Sequence, residues 1–178
     1  MSAQHILILG GARSGKTSFG ERMAIRLGQA PAYLATAEAL DGEMRERVAT
    51  HQRQRSTRFA TIEEPIALPD ALVAASKSHD VILVDCLTLW ISNLLGAGAN
   101  VAAEVEQLVA TLAQIKSSRI ILVSNEVGLG IVPDNPLARS FRDLAGSAHQ
   151  RLAETCADVY FVVAGLPMTL KGRPPLPN

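Results

Sequence analysis

With 178 residues, 48% hydrophobic and 19% charged, the chain has the length for one domain with its own core and is too apolar to be a disordered segment. Lys+Arg and Asp+Glu both total 17, which excludes a broad basic face for nucleic acid or an anionic membrane, so any basic site is local. The opening MSAQHILILGG holds an apolar run too short for a signal or membrane-spanning segment, and no later run is long enough to cross a bilayer.

Short β-rich runs alternate with helical patterns, which predicts a parallel sheet with crossover helices. The predicted strands are HILILG (5–10), AYLAT (32–36), VILVD (81–85), IILVS (120–124) and VYFVV (159–163). Most are continuously apolar, as strands buried on both faces must be. Helices are predicted at 15–28, 41–57, 67–78, 101–116 and 136–156. Val101, Val105, Leu108, Leu112 and Ile115 form one apolar stripe, and Leu137, Phe141, Leu144, Ala148 and Leu152 another. LTLWISNLL is apolar on nearly all sides, so that helix must be covered everywhere, within the monomer or, through Trp90 or Leu94, by a second subunit. The GAGAN stretch (96–100) reads as a flexible turn, and KGRPPLPN ends the chain with prolines that forbid helix. The expected organisation is one catalytic domain, 1–171, and a loose Pro-rich tail, 172–178. Cys86 and Cys156 make neither a disulfide framework nor a zinc cluster and are expected as small buried residues in a reducing cytoplasm. His5, His79 and His149 are expected to face solvent or to cap helices.

The first strand runs into Gly10-Gly11-Ala12-Arg13-Ser14-Gly15-Lys16-Thr17, which fits G-x-x-x-x-G-K-[ST]. Glycines let the backbone curl until successive N–H groups line one concavity, and the following helix adds its amino end, so phosphates bind there. In this pattern Lys16 reaches the terminal phosphates and the Thr17 hydroxyl serves Mg²⁺. A carboxylate near that metal is also needed, and Asp85 at the end of VILVD is the candidate. Ligands of open α/β sheets gather at the carboxyl ends of strands, which brings Ala35, Thr36 and Ala37, and Ser124, Asn125 and Glu126, toward the same site. The pattern leaves a small-molecule kinase, a molecular switch and a subunit that hydrolyses ATP to move a partner all open; a compact chain with no basic surface favours the first.

RERVATHQRQR (45–55) then places one imidazole, His51, on an arginine-rich predicted helix, with Arg47 and Arg55 four residues to either side on its face. The segments GGARSGKT, ATAEALDGEMRERVATH, IEEP, DCLTLWISNLL and SNEVGLGIVPDNPLARSFRDLAGSAHQRLA together resemble the bifunctional adenosylcobinamide kinase/adenosylcobinamide-phosphate guanylyltransferases of cobalamin biosynthesis. The resemblance runs from the first strand to about Lys171. It implies an α/β fold of the P-loop NTPase type (RecA-like), a mainly parallel sheet flanked by helices. It also implies two reactions: ATP or GTP phosphorylates the aminopropanol hydroxyl of adenosylcobinamide, and GMP then passes from GTP to that phosphate through a guanylyl-histidine. By position His51 is the implied nucleophile. A neutral imidazole can attack phosphorus, and nearby guanidiniums favour the neutral ring. The resemblance further implies nucleotide contacts at Ala35, Thr36, Ala37, Gln52, Arg53, Gln54, Arg55, Glu63 and Asp85, and a homotrimer. Some members carry a second histidine just before the nucleophile; Thr50 stands there in this chain, so a paired-histidine mechanism does not apply. No residue is assigned to accept the hydroxyl proton in the kinase step. A single-activity kinase for another alcohol and a non-enzymatic nucleotide-binding regulator remain the alternatives.

Overall fold

A computed structural model describes residues 4–37 and 57–175. Predicted helix 41–57, with His51, Gln52, Arg53, Gln54 and Arg55, lies almost wholly outside the described residues.

The elements in order are β1 (Ile6–Gly10), α1 (Lys16–Leu27), β2 (Pro31–Ala35), β3 (Ala60–Glu63), α2 (Leu68–Ala75), β4 (Val81–Asp85), α3 (Leu87–Gly96), α4 (Val101–Gln114), β5 (Arg119–Asn125), α5 (Pro136–Thr155), β6 (Asp158–Val163) and β7 (Leu166–Lys171). They form one seven-stranded sheet in the order β3-β2-β4-β5-β1-β6-β7, parallel except for the β6–β7 hairpin. This is the mainly parallel α/β sheet expected.

Alternate residues of the central strands supply the two faces. Ile6, Ile8, Leu83, Ile121 and Val123 meet Phe19 and Met23 of α1 on one side. Leu7, Leu9, Leu34, Val84 and Leu122 meet α2 to α5 on the other, with the predicted stripe of α4 turned inward and that of α5 turned inward from Phe141 to Leu152, while Leu137 in its first turn is exposed. Asn100 and Asn135 start α4 and α5 through side-chain oxygens that accept Ala103 N at 3.2 Å and Leu137 N at 2.8 Å.

The all-round apolar α3 is covered within the chain. Trp90 and Leu94 are buried, and the Trp90 indole donates to Ile66 O at 2.8 Å. Both cysteines are buried as expected, and burial, followed by the Asp85 charge, pushes the Cys86 thiol up to about 11. Two expectations fail. His149 neither faces solvent nor caps a helix, being bonded in the interior to Ser124 of β5, whereas the buried His5 does cap a helix, through Leu112 O in the last turn of α4. Nor is the start of the tail loose, because Arg173 donates from its backbone N to Asp158 Oδ1 at 2.9 Å and from its guanidinium to Oδ2 at 2.8 Å. Among the described residues no helix is long and apolar enough to cross a membrane.

Candidate functional site

The carboxyl ends of β1 to β5 share one edge because those strands are parallel. Registers place Glu63, Ala35 and Asp85 side by side on β3, β2 and β4, and Asn125, Gly10 and Val162 side by side on β5, β1 and β6. Asp85 is thus two strands from Gly10. Glu63 is four strands away, about 19 Å along the sheet at ordinary strand spacing, so the sheet does not bring it to the phosphate turn.

The turn itself is tightly shaped. Arg13 and Gly15 have φ of 55° and 94°, and Gly15 stands at the N-cap of α1 with no side chain to block the helix's free N–H groups. Lys16 folds back so that Nζ donates to Gly11 O at 3.2 Å. Its ammonium is therefore held inside the concavity. The Ser14 hydroxyl is the buried side-chain polar atom left without a hydrogen-bond partner among the described residues. Buried polar groups are rarely orphaned, so a ligand with acceptor oxygens fits this turn.

Sequence reasoning missed the buttress of that turn. Ala164 and Gly165, at φ 51° and 79°, make the two-residue turn of the β6–β7 hairpin. Gly165 N donates to Ser14 O at 2.8 Å, so the hairpin props the phosphate turn from the β6 side. The Ala-Gly pair was the available signal.

Thr36 is fully buried and locks β2 to β4: its hydroxyl donates to Cys86 O at 2.7 Å and accepts Cys86 N at 2.9 Å. This makes it a structural latch. Ala35 and Ala37 stay partly open beside it. Asn93, which sequence reasoning also passed over, reaches from α3 to donate to Thr36 O at 2.8 Å and Pro65 O at 3.1 Å. The Tyr33 hydroxyl donates to Asp85 Oδ2 at 2.6 Å, which orients the carboxylate at the strand end.

A second buried network fixes the end of β5. His149 Nε2 shares a 2.8 Å hydrogen bond with Ser124 Oγ, which lies 3.2 Å from Thr88 Oγ1. Thr88 Oγ1 accepts Asn125 N at 2.7 Å, and Glu126 N donates to Gly10 O at 3.0 Å. Burial lowers the His149 pKa, so the ring is held neutral in this network. Among the described residues no group of three or more His, Cys, Asp or Glu side chains could hold a metal. That does not conflict with magnesium, which takes few protein ligands and completes its shell with phosphate oxygens and water.

The family described as cobinamide kinase / cobinamide phosphate guanyltransferase matches residues 6–170. The bifunctional adenosylcobalamin biosynthesis protein CobP of Pseudomonas aeruginosa is 50% identical over 170 residues, covering 94% of this chain and 98% of the relative. The corresponding CobU protein of Salmonella typhimurium is 38% identical, covering 93% and 99%. Among solved structures, a KaiC-like protein of Pyrococcus horikoshii superposes with a TM-score of 0.52 at 13% identity, over 90% of this chain and 71% of that one. A second protein of that organism, PH0250, gives 0.55 at 11% identity over 97% and 88%. At such identities these likenesses concern the fold alone.

Proposed function

The chain belongs to the cobinamide kinase / cobinamide phosphate guanyltransferase family, and from that premise we propose that it carries out both reactions of the family name on one corrinoid substrate. The observation that carries the reading is the phosphate turn on β1 and α1, with an inward Lys16 and an orphaned Ser14 hydroxyl, in a chain matched almost end to end.

In the kinase step a nucleoside triphosphate lies with its phosphates in the turn 10–17. Backbone N–H groups and the amino end of α1 hold the anion, and Lys16 neutralises charge at the transferring end. Thr17 and Asp85 offer hydroxyl and carboxylate oxygens, the hard ligands that Mg²⁺ prefers, and would hold it. An ion held by these residues would supply positive charge to offset the negative charge of the phosphates. The hydroxyl oxygen of the corrinoid side chain bonds to the γ-phosphorus while the nucleoside diphosphate departs with the bridging oxygen's electron pair.

In the transferase step a neutral ring nitrogen of His51 bonds to the α-phosphorus of GTP, and pyrophosphate leaves. A phosphate oxygen of the corrinoid then takes the guanylyl group and frees His51. Arg47 and Arg55 favour the neutral imidazole and stabilise the crowded anionic transition state. Gln52, Arg53, Gln54 and Arg55 are proposed nucleotide contacts, and Glu63, four strands from the turn, is a proposed contact to the guanine end rather than to the phosphates. The reaction takes place in the cytoplasm, and the working form is a homotrimer.

GTP labelled at the α-phosphate is the test. Wild type acquires acid-labile, base-stable label, and His51→Ala acquires none. Unlabelled wild type, or label undiminished in His51→Ala, refutes the covalent route. Phosphorylation of a different alcohol without any guanylyl intermediate points to a single-activity kinase; nucleotide binding with no transfer to any corrinoid points to a regulator.

A further inference from the structure

The proposed kinase step needs an acceptor alcohol beside the terminal phosphate. A cavity of about 510 Å³ lies over the carboxyl end of β1. Its walls are the first half of the phosphate turn (11–14), the segment from Glu126 to Gly130, and the end of β6 with its turn (161–164).

Two observations decide what this cavity receives. Lys16 Nζ donates to Gly11 O, and Gly11 lines the cavity, so the ammonium that follows terminal phosphates lies one hydrogen bond from a residue of its wall. The cavity therefore adjoins the part of the turn where the kinase reading puts the transferring phosphate. The proposed metal ligands Thr17 and Asp85 do not line it. Secondly, Glu126 is the acidic side chain in the lining. Its Oε1 accepts Gly128 N at 2.6 Å and its Oε2 accepts Leu129 N at 3.2 Å, so the carboxylate is held in one orientation with a lone pair free on each oxygen. A fixed carboxylate repels another phosphate but accepts a hydrogen bond from a hydroxyl. Next to it stands Leu129, which lines the cavity and is 82% exposed, a bare apolar side chain at its edge. This combination suits a hydroxyl on a short arm carried by a large, partly apolar body.

We infer that the cavity is the acceptor subsite of the kinase reaction and that Glu126 is its catalytic carboxylate. Glu126 holds the acceptor hydroxyl and takes its proton as the alcohol oxygen bonds to the γ-phosphorus; the bond from that phosphorus to the β–γ bridging oxygen breaks, its electron pair leaving with the nucleoside diphosphate. The proton passes from the carboxylate to water when product leaves. The Thr88–Ser124–His149 network and the Glu126 N to Gly10 O bond preorganise this carboxylate relative to the phosphate turn. The inference rests on the kinase reading above.

Glu126→Gln keeps the side chain's shape and removes its basicity. Three quantities are measured on full-length protein: nucleotide affinity, phosphorylation of adenosylcobinamide, and guanylyl transfer to supplied adenosylcobinamide phosphate. The expected result is kinase kcat lower by about 10²-fold, the contribution of a positioned base, with nucleotide affinity intact and guanylyl transfer not reduced. Leu129→Asp is expected to raise KM for adenosylcobinamide and leave KM for the nucleotide unchanged. Wild type that phosphorylates no corrinoid refutes the parent reading. An active wild type with an equally active Glu126→Gln overturns this inference alone. So does a Glu126→Gln protein whose nucleotide affinity falls with its kinase rate, because Glu126 would then serve the nucleotide, for instance at a guanine edge.

Discussion

Replacing Gly10 by Ala tests whether the phosphate turn is positioned by close backbone packing. An added Cβ would stand 2.6 Å from Ser14 Oγ and 2.6 Å from Val162 O. The serine hydroxyl can rotate away. The Val162 oxygen is strand backbone beside β1 and cannot. Ordinary contact begins at 3.4 Å, so β1 and β6 must part by roughly 0.8 Å at the point where the turn begins. Overpacking of this kind costs about 1–3 kcal/mol, and at about 2–4 °C per kcal/mol for a chain of this size the melting temperature falls by roughly 2–12 °C. The same shift moves the phosphate cradle, and misplacement near 1 Å costs about 10²-fold in turnover. Thermal melts of nucleotide-free protein and kcat/KM for the kinase reaction report the two effects. Gly11→Ala is the steric control, since nothing lies within 4 Å of its built Cβ, and its nucleotide-free melt stays at the wild-type value. A Gly10→Ala protein that melts with wild type, or a Gly11→Ala protein that loses as much, refutes the packing argument.

Two further predictions follow from buried polar groups outside the turn. His5 Nε2 donates to Leu112 O at 2.8 Å while its Nδ1 accepts Ile120 N at 3.1 Å, an arrangement only the neutral ring can make. Burial, with help from the Lys116 and Arg119 charges, lowers its pKa. The unfolded chain therefore binds the extra proton first, and this contribution to stability is complete above about pH 6.5 and lost as pH falls below it, by up to about 1.4 kcal/mol per unit. Urea titrations at several pH values will show a shallower decline in His5→Gln than in wild type; equal slopes would falsify the assignment. Asn93→Ala strands the Thr36 and Pro65 carbonyls, and a loss of about 1–3 kcal/mol is expected in the same titrations, against none if water replaces both bonds.

How much of this was legible in the sequence depended on the range of the interactions involved. Continuous apolar runs such as VILVD announced central parallel strands, because burial on both faces leaves no room for polar alternation, and the five predicted strands all exist within a residue or two. The edge strands were hidden for the same reason in reverse. ATIE (β3) is mostly exposed, and LPMTLK (β7) is exposed and carries a proline, so neither shows the burial pattern by which strands are read. The histidines' partners were hidden differently. His5 opens an apolar strand and His149 lies on an amphipathic helix; nothing local tells that partners 107 and 25 residues away will bond their rings.

The site divides along the same line. The phosphate turn is a local device, so its eight residues declared themselves, whereas the groups that hold it come from distant strands: Gly165 N on Ser14 O, Val162 O against Gly10, and Glu126 N on Gly10 O. The two carboxylates illustrate the difference. Asp85 ends an obvious strand and was singled out by place, yet its position is two strands from the turn, on the side where Tyr33 orients it. Glu126 follows β5, the strand paired directly with β1, and the register that sets Asn125 beside Gly10 brings the next residue against the phosphate turn. A carboxylate one residue beyond the neighbouring strand stands closer along the sheet to Gly10 than one at the end of a strand two places away. Proximity of that kind is set by strand order, which sequence periodicity does not encode, and it is what separates the metal-side role proposed for Asp85 from the acceptor-side role proposed for Glu126.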